Sequence, residues 1–176
     1  MMLRSMLGAT AVAMVLACSS ASDPATSDAS NTLVLLDSAQ HTAAFGPIQL
    51  TASSTSGPVV TPGGEFPGID LRLAVIQNPP QSTTWLVACT DVQLYTQATG
   101  GAMVYSRNQA KNAQCTPVSG GASGPSGSTR AIYETTSLQY SDVARTVSVG
   151  TYYVRFRVTF PDSSVGEVRA GTIGRF

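Results

Sequence analysis

The segment from Tyr152 to Phe160 constrains the fold of this 176-residue chain more than any other stretch. Large apolar residues occupy every second position, and Tyr153, Arg155, Arg157 and Thr159 fill the positions between them. A period of two is typical of a strand with one face on a core, because successive side chains point to opposite sides of a sheet. The segment therefore predicts a long β-strand with Tyr153, Arg155 and Arg157 on its outer face.

Shorter apolar runs, separated by Gly, Pro and Asn, predict further strands over residues 32–176. The Thr99-Gly100-Gly101 turn between two strand-forming runs predicts a hairpin. The segment with Gly57-Pro58 and Pro62 is expected to be an edge or a loop, because proline cannot donate to a ladder. Eight or nine strands and no substantial helical pattern favour an all-β fold, a single β-sandwich. The other strands are predicted at residues 33–36, 48–52, 69–75, 83–89, 92–96, 103–106 and 165–173, and residues 131–140 and 143–149 are predicted to form one or two more.

The first eighteen residues have the layout of a secretory signal peptide. Arg4 supplies a positive charge, residues 6–16 form a mostly apolar run, and the small Ala17 precedes Cys18. An apolar run of about a dozen residues is too short to span a bilayer core of about 30 Å. Residues 19–31 contain no large apolar side chain, so we expect a flexible tether. The predicted division is a signal peptide over 1–17, a tether over 18–31 and one domain over 32–176.

Val15-Leu16-Ala17-Cys18 resembles the lipobox of bacterial lipoproteins. The resemblance implies cleavage before Cys18 and attachment of lipid, palmitate included, to the new N-terminus, typically as three acyl chains. Ser19 after the cysteine implies the outer membrane of a diderm envelope. An ordinary cleaved signal peptide and a buried N-terminal helix are the alternatives.

Two cysteines are left if Cys18 carries lipid. In an oxidising compartment a disulfide between Cys89 and Cys115 is the default. It would close a loop of about 27 residues and contribute roughly 3–4 kcal/mol. Two free thiols or a metal site are the alternatives, and zinc is disfavoured because two thiolates and His41, the single histidine, fall short of its usual four ligands.

The sequence offers no support for catalysis, a cofactor or nucleic-acid binding. Ten basic and ten acidic residues balance, and loss of Arg4 leaves about −1, so no field that gathers nucleic acid is expected. His41 lies in a polar context and is expected to be solvated rather than to act as the base of a triad. We therefore predict a protein that is not an enzyme and that holds neither cofactor nor metal.

Val149-Gly150-Thr151-Tyr152-Tyr153-Val154-Arg155-Phe156 resembles the stretch that opens the penultimate strand of immunoglobulin-like and fibronectin III-like domains. The resemblance implies an immunoglobulin-like sandwich over 32–176 and a tyrosine corner at Tyr152. The cysteines do not match the antibody-type disulfide that bridges the two sheets. Residues 73–79 are more weakly similar to BsuPI-type proteinase-inhibitor domains, which share this fold.

These observations favour a non-catalytic, lipid-anchored cell-envelope protein whose domain serves as a binding or structural module. Its partners would be the membrane, through lipid, and an envelope protein or polysaccharide. Tyr153, Arg155 and Arg157 form a candidate binding face or a solvated sheet face. A protease inhibitor using the Gly/Ser-rich loop at 116–130 is one alternative. A carbohydrate-binding module is the other, with Trp85, Tyr95 and Tyr105 as a stacking platform unless they are core residues.

Overall fold

The computed structural model describes residues 32–61, 64–78, 87–111, 122–123 and 130–176. These ranges form ten β-strands and two short α-helices. The helices are α1 (Arg107–Ala110) and α2 (Tyr140–Ala144). The strands are β1 (Leu33–Asp37), β2 (His41–Phe45), β3 (Ile48–Thr61), β4 (Gly64–Gln77), β5 (Cys89–Tyr95), β6 (Met103–Ser106), β7 (Ala122–Ser123), β8 (Arg130–Gln139), β9 (Gly150–Thr159) and β10 (Val165–Arg175).

The strands form two five-stranded sheets in which every pairing is antiparallel. Sheet A has the order β1-β10-β9-β5-β6, and sheet B has the order β2-β3-β4-β8-β7. The all-β sandwich predicted from the sequence is confirmed, with one strand more than the upper end of the predicted count.

The strand order is that of an immunoglobulin-like sandwich. Such domains place strands A-B-E-D in one sheet and C-F-G in the other, where letters follow chain order. Strands β3-β4-β8-β7 and β5-β9-β10 reproduce these two orders, and β6 lies beside β5 where variable-type domains have C′. Strands β1 and β2 extend the outer edges of sheets A and B.

The core lies between the two sheets and is built from the inward positions of the central strands. The prediction that Tyr152, Val154, Phe156, Val158 and Phe160 face inward is confirmed, because all five are buried. Burying each large apolar side chain contributes roughly 1.5–3 kcal/mol. Sheet B presents the alternating set Leu50, Ile69, Leu71, Leu73, Val75 and Leu138 to these residues.

Tight turns fix the register of the hairpins. β2 and β3 are joined by Gly46-Pro47, with Phe45 paired to Ile48. Gly46 has φ of +57°, a conformation that glycine adopts without steric cost at the first position of a tight hairpin turn. The predicted hairpin at Thr99-Gly100-Gly101 is confirmed as the β5–β6 turn, where both glycines have positive φ.

Several local predictions are wrong or incomplete. Residues 143–149 do not form a strand: Val143 lies in α2, and Val147 donates its backbone N–H to the Val143 oxygen at 3.0 Å. Both valines are buried four residues apart, which is helical rather than strand spacing. Residues 57–61, expected to be an edge or a loop, are an edge segment: among the described residues they pair only with 64–68 of β4, which lengthens the β3–β4 hairpin. β2 was not predicted, and the predicted strand at 83–89 is described only from Val87, with β5 beginning at Cys89.

Candidate interaction surface on sheet A

Tyr152, the residue expected at a tyrosine corner, lies near the start of β9. Its hydroxyl donates to the backbone oxygen of Ser148 at 3.0 Å, and its oxygen lies 3.2 Å from the Ser148 hydroxyl. This is the bond to the chain a few residues upstream that such a corner makes. The ring itself is buried, so Tyr152 holds the connection from α2 into β9 and does not face solvent.

The outer face of sheet A carries the predicted binding residues Tyr153, Arg155 and Arg157. Register pairs them with Tyr95, Gln93 and Asp91 of β5 on one side. On the other side, Arg157 is paired with Glu167 of β10. Cross-strand neighbours on one face contact each other directly, so this surface is a continuous set of acidic, basic and phenolic groups.

Arg155 does not present a free guanidinium to solvent. Only 8% of the residue is exposed. One guanidinium nitrogen donates to the carbonyl oxygens of Gln97, Ala98 and Gly100 at 3.0, 3.1 and 2.9 Å, and the other lies 3.2 Å from a Glu167 carboxylate oxygen. Its function within the fold is to close the β5–β6 turn over the sheet.

Tyr95 forms the platform beneath Arg155. The guanidinium carbon lies 4.0 Å from the Tyr95 ring centroid, a cation–π distance. The Tyr95 hydroxyl donates to Gln93 at 2.7 Å and lies 3.3 Å from Glu167. Burial, followed by the negative charge of Glu167, raises the pKa of Tyr95 above its usual value. The phenol therefore stays a neutral hydrogen-bond donor within this network.

Asp91 joins the network to the segment after β6. It accepts hydrogen bonds from the Gln93 amide at 2.9 Å, the Ser106 hydroxyl at 2.7 Å and the Asn108 backbone N–H at 3.0 Å. Ser106 is also the N-cap of α1 and accepts from the Gln109 backbone N–H at 3.3 Å. These three hydrogen bonds to the Asp91 carboxylate hold the end of the β5–β6 hairpin in place.

A second cluster at the β1 edge uses the only histidine. Asp37 binds the Arg169 guanidinium, and its carboxylate lies 3.4 Å from His41 Nε2. The backbone N–H of Ala39 donates to Asp37 at 2.9 Å. This bond, helped by the charges of Arg169 and His41, holds the pKa of Asp37 below its usual value. His41 was expected to be solvated, but it is half-buried in β2 beside a carboxylate.

Tyr153, Arg155 and Arg157 lie on the predicted outer face, but they are not equally accessible to a partner. Arg157 is exposed, and within the described ranges no carboxylate lies within ion-pair distance of it. Tyr153 is half-buried, with the Arg169 guanidinium carbon 5.2 Å from its ring centroid. Of the three residues only Arg157 offers an unpaired charge to a partner, and binding at this face stays a prediction.

The predicted aromatic platform is not assembled by its described members. Tyr105 is buried, and Tyr95 lies under Arg155. Trp85 lies outside the described residues. Burial raises the pKa of Tyr105 to about 12, and its hydroxyl has no hydrogen-bond partner among the described residues. The exposed tyrosine is instead Tyr133, which was not among the predicted site residues, although the period of two in β8 places it on the face away from the buried Ile132.

The remaining predicted sites fall mostly outside the described residues. These are Cys18 with its lipobox, the tether, Cys115 and most of the loop at 116–130. Within that loop, Ala122 and Ser123 form β7 against the start of β8. Among the described residues no group of three His, Cys, Asp or Glu side chains could hold a metal ion. In the same ranges no helix is long and apolar enough to cross a membrane.

Comparison with known proteins gives no family for this chain. No protein-family model matches the sequence, and no curated protein is significantly similar to it.

Proposed function

We propose that this protein is a non-catalytic, lipid-anchored component of a bacterial cell envelope whose sandwich acts as a binding or structural module. The lipobox-like Val15-Leu16-Ala17-Cys18 supports the anchor. The point where the chain enters the sandwich supports it as well. The backbones of Thr32 and Phe176 exchange hydrogen bonds of 3.3 and 3.2 Å, and β1 pairs at the edge of sheet A. A tether over 18–31 would thus reach the domain at an outer strand, leaving both sheet faces open to partners.

The environment of His41 supports a non-catalytic role. Its imidazole contacts Asp37, and Arg169 neutralises the same carboxylate. A nucleophilic triad needs a hydroxyl or thiol beside the histidine. The nearby Ser54 hydroxyl donates instead to the backbone oxygen of Asp37 at 3.4 Å and is buried. Asp37, His41 and Arg169 therefore link β1, β2 and β10 through their side chains.

We also propose the disulfide between Cys89 and Cys115. Cys89 is buried at the first residue of β5. Pairing with Cys115 leaves Cys18 free for lipid, and oxidation is expected in the compartment that the signal peptide implies. Mass spectrometry of a non-reduced digest tests it: a linked Cys89–Cys115 peptide supports the assignment, and a free thiol at either position contradicts it.

The anchor is tested by fractionating cells that express the wild type, Cys18→Ala or the control Ser20→Ala. The wild type and the control should sediment with membranes in high salt and be released by detergent, because several acyl chains give stable anchoring. The Cys18→Ala chain should leave the detergent-released fraction. Release of the wild type by salt alone would contradict a lipid anchor.

A further inference from the structure

The outer face of sheet B carries a depression on the side away from the core. It has a volume of about 330 Å³, at the lower end of the range for small-ligand sites. Two cross-strand rows over β3, β4 and β8 build it: Thr51, Ala74 and Tyr133 form the first, and Ser53, Arg72 and Thr135 form the second. Ala74 lies between Thr51 and Tyr133 in the first row. Because its side chain is small, it forms the floor of the depression.

Tyr133 provides an aromatic wall that contributes little to folding. It is 73% exposed, the highest value among the exposed large hydrophobic residues of the described ranges. Its hydroxyl makes no hydrogen bond there, in contrast to the hydroxyls of Tyr95 and Tyr152. An exposed ring of this kind offers a flat apolar surface that can contact the C–H face of a sugar ring.

Arg72 provides an unpaired positive charge on the other row. The side chain is exposed. The salt bridges of the described residues include Arg155 with Glu167 and Arg169 with Asp37, but none with Arg72. A guanidinium presents a rigid planar fork that matches a carboxylate in a bidentate arrangement. Glu134 also lines the depression, but its carboxylate accepts a hydrogen bond from the Thr90 hydroxyl and forms no ion pair with Arg72 among the described residues. The depression thus has one cation beside one aromatic ring.

Three hydroxyl groups complete the lining. The side chains of Thr51, Ser53 and Thr135 make no hydrogen bond within the described part of the chain, so each can both donate and accept. A site for an acidic peptide would need several cations in a row, whereas Arg72 is the one basic residue among those that line the depression. A peptide could not add as a further strand either, because the backbone groups of β3, β4 and β8 already pair within the sheet. Several hydroxyls, one ring and one cation fit a ligand that is itself rich in hydroxyls and carries a carboxylate.

We propose that this depression binds a uronic-acid unit of an acidic polysaccharide, with the sugar ring against Tyr133 and its carboxylate on Arg72. The inference rests on the proposed function only in that the domain is a binding module. It requires neither the lipid anchor nor a partner on sheet A. It also differs from the sequence prediction of a platform built from Trp85, Tyr95 and Tyr105, because it uses another sheet and another tyrosine.

Calorimetric titration of the full mature chain with oligosaccharides tests the proposal. The probes are oligogalacturonate, hyaluronan oligosaccharides and alginate oligosaccharides, with cellohexaose as the neutral control and oligoglutamate as the acidic peptide control. Binding to at least one uronic-acid probe and to neither control is expected. Arg72→Ala and Tyr133→Ala should each weaken that binding at least about tenfold, whereas Tyr133→Phe should retain most of it because the ring remains.

The matched control is Arg145→Ala. This change removes an exposed arginine at the C-cap of α2 that does not line the depression. It should leave affinity unchanged. The inference is overturned if no uronic-acid probe binds, if cellohexaose or oligoglutamate binds equally well, or if Arg145→Ala weakens binding as much as Arg72→Ala. Folding of each variant is checked by circular dichroism, and both altered side chains at the site are exposed. A failed titration together with a membrane-anchored wild type would remove this site and leave the proposed anchor intact.

Discussion

Replacement of Arg155 by methionine should destabilise the domain by about 3 kcal/mol. The wild-type side chain makes three charge-assisted hydrogen bonds to the carbonyls of the β5–β6 turn, one ion pair with Glu167 and one cation–π contact with Tyr95. Hydrogen bonds to a charged group contribute roughly 1.5–3 kcal/mol each, and the cation–π contact about 1 kcal/mol. The sum overstates the loss, because the turn is exposed and water can bind the freed carbonyls.

Chemical unfolding in urea measures this change, and thermal unfolding should show a midpoint lowered by roughly 10 °C. Arg157→Met is the matched control, because Arg157 lies on the same strand and the same face and forms no ion pair with any described residue. It should change stability by no more than about 0.5 kcal/mol. Hydrogen exchange in the turn at 96–101 should accelerate only in the Arg155 variant. An Arg155→Met variant no less stable than Arg157→Met would refute a stabilising role for this network.

Three further substitutions test other parts of the domain. Tyr105→Phe should stabilise it by about 1 kcal/mol, because it removes a buried hydroxyl that has no hydrogen-bond partner in the described part of the chain. The folded pKa of about 12 lies above the unfolded value near 10, so the wild type should lose more stability from about pH 10 upward than the variant, in which only other groups such as Tyr95 contribute; parallel alkaline unfolding curves would contradict this. Tyr152→Phe should cost about 1 kcal/mol in urea through the lost bond to Ser148, and an unchanged midpoint would argue against the tyrosine corner. Asp37 has a lowered pKa, so its contribution is present above about pH 4 and is lost as the pH falls through the folded pKa; Asp37→Asn should be less stable than wild type by at most about 1 kcal/mol at pH 7, and the difference should shrink as the pH falls below about 4.

The strands that carry the core could be predicted from the sequence because their two faces see different environments. In β9, and in β4 from Ile69 to Val75, every inward position is apolar, so the period of two is visible without a structure. β2 has only half-buried and exposed positions over His41–Phe45, so its period carries little contrast. The valines of α2 and its following turn are β-branched, and five helical residues are too few to display a helical period.

The use of the outer faces could not be predicted, because it depends on register between strands distant in sequence. Arg155 occupies an outward position as predicted, but the turn at 97–100 folds over it and buries it. Arg72 and Tyr133 are 61 positions apart, and only the antiparallel pairing of β4 with β8 places their rows side by side. Spacing within one strand gives the face of a residue, whereas its partners come from the topology.

The intact mass of the protein from its native membrane fraction tests the central claim most directly. We expect a chain that begins at Cys18 and is heavier than its polypeptide by the mass of attached acyl chains. The same preparation from cells carrying Cys18→Ala should lack this species. An unmodified chain cut at another residue, or one that retains residues 1–17, would contradict a lipid anchor at Cys18.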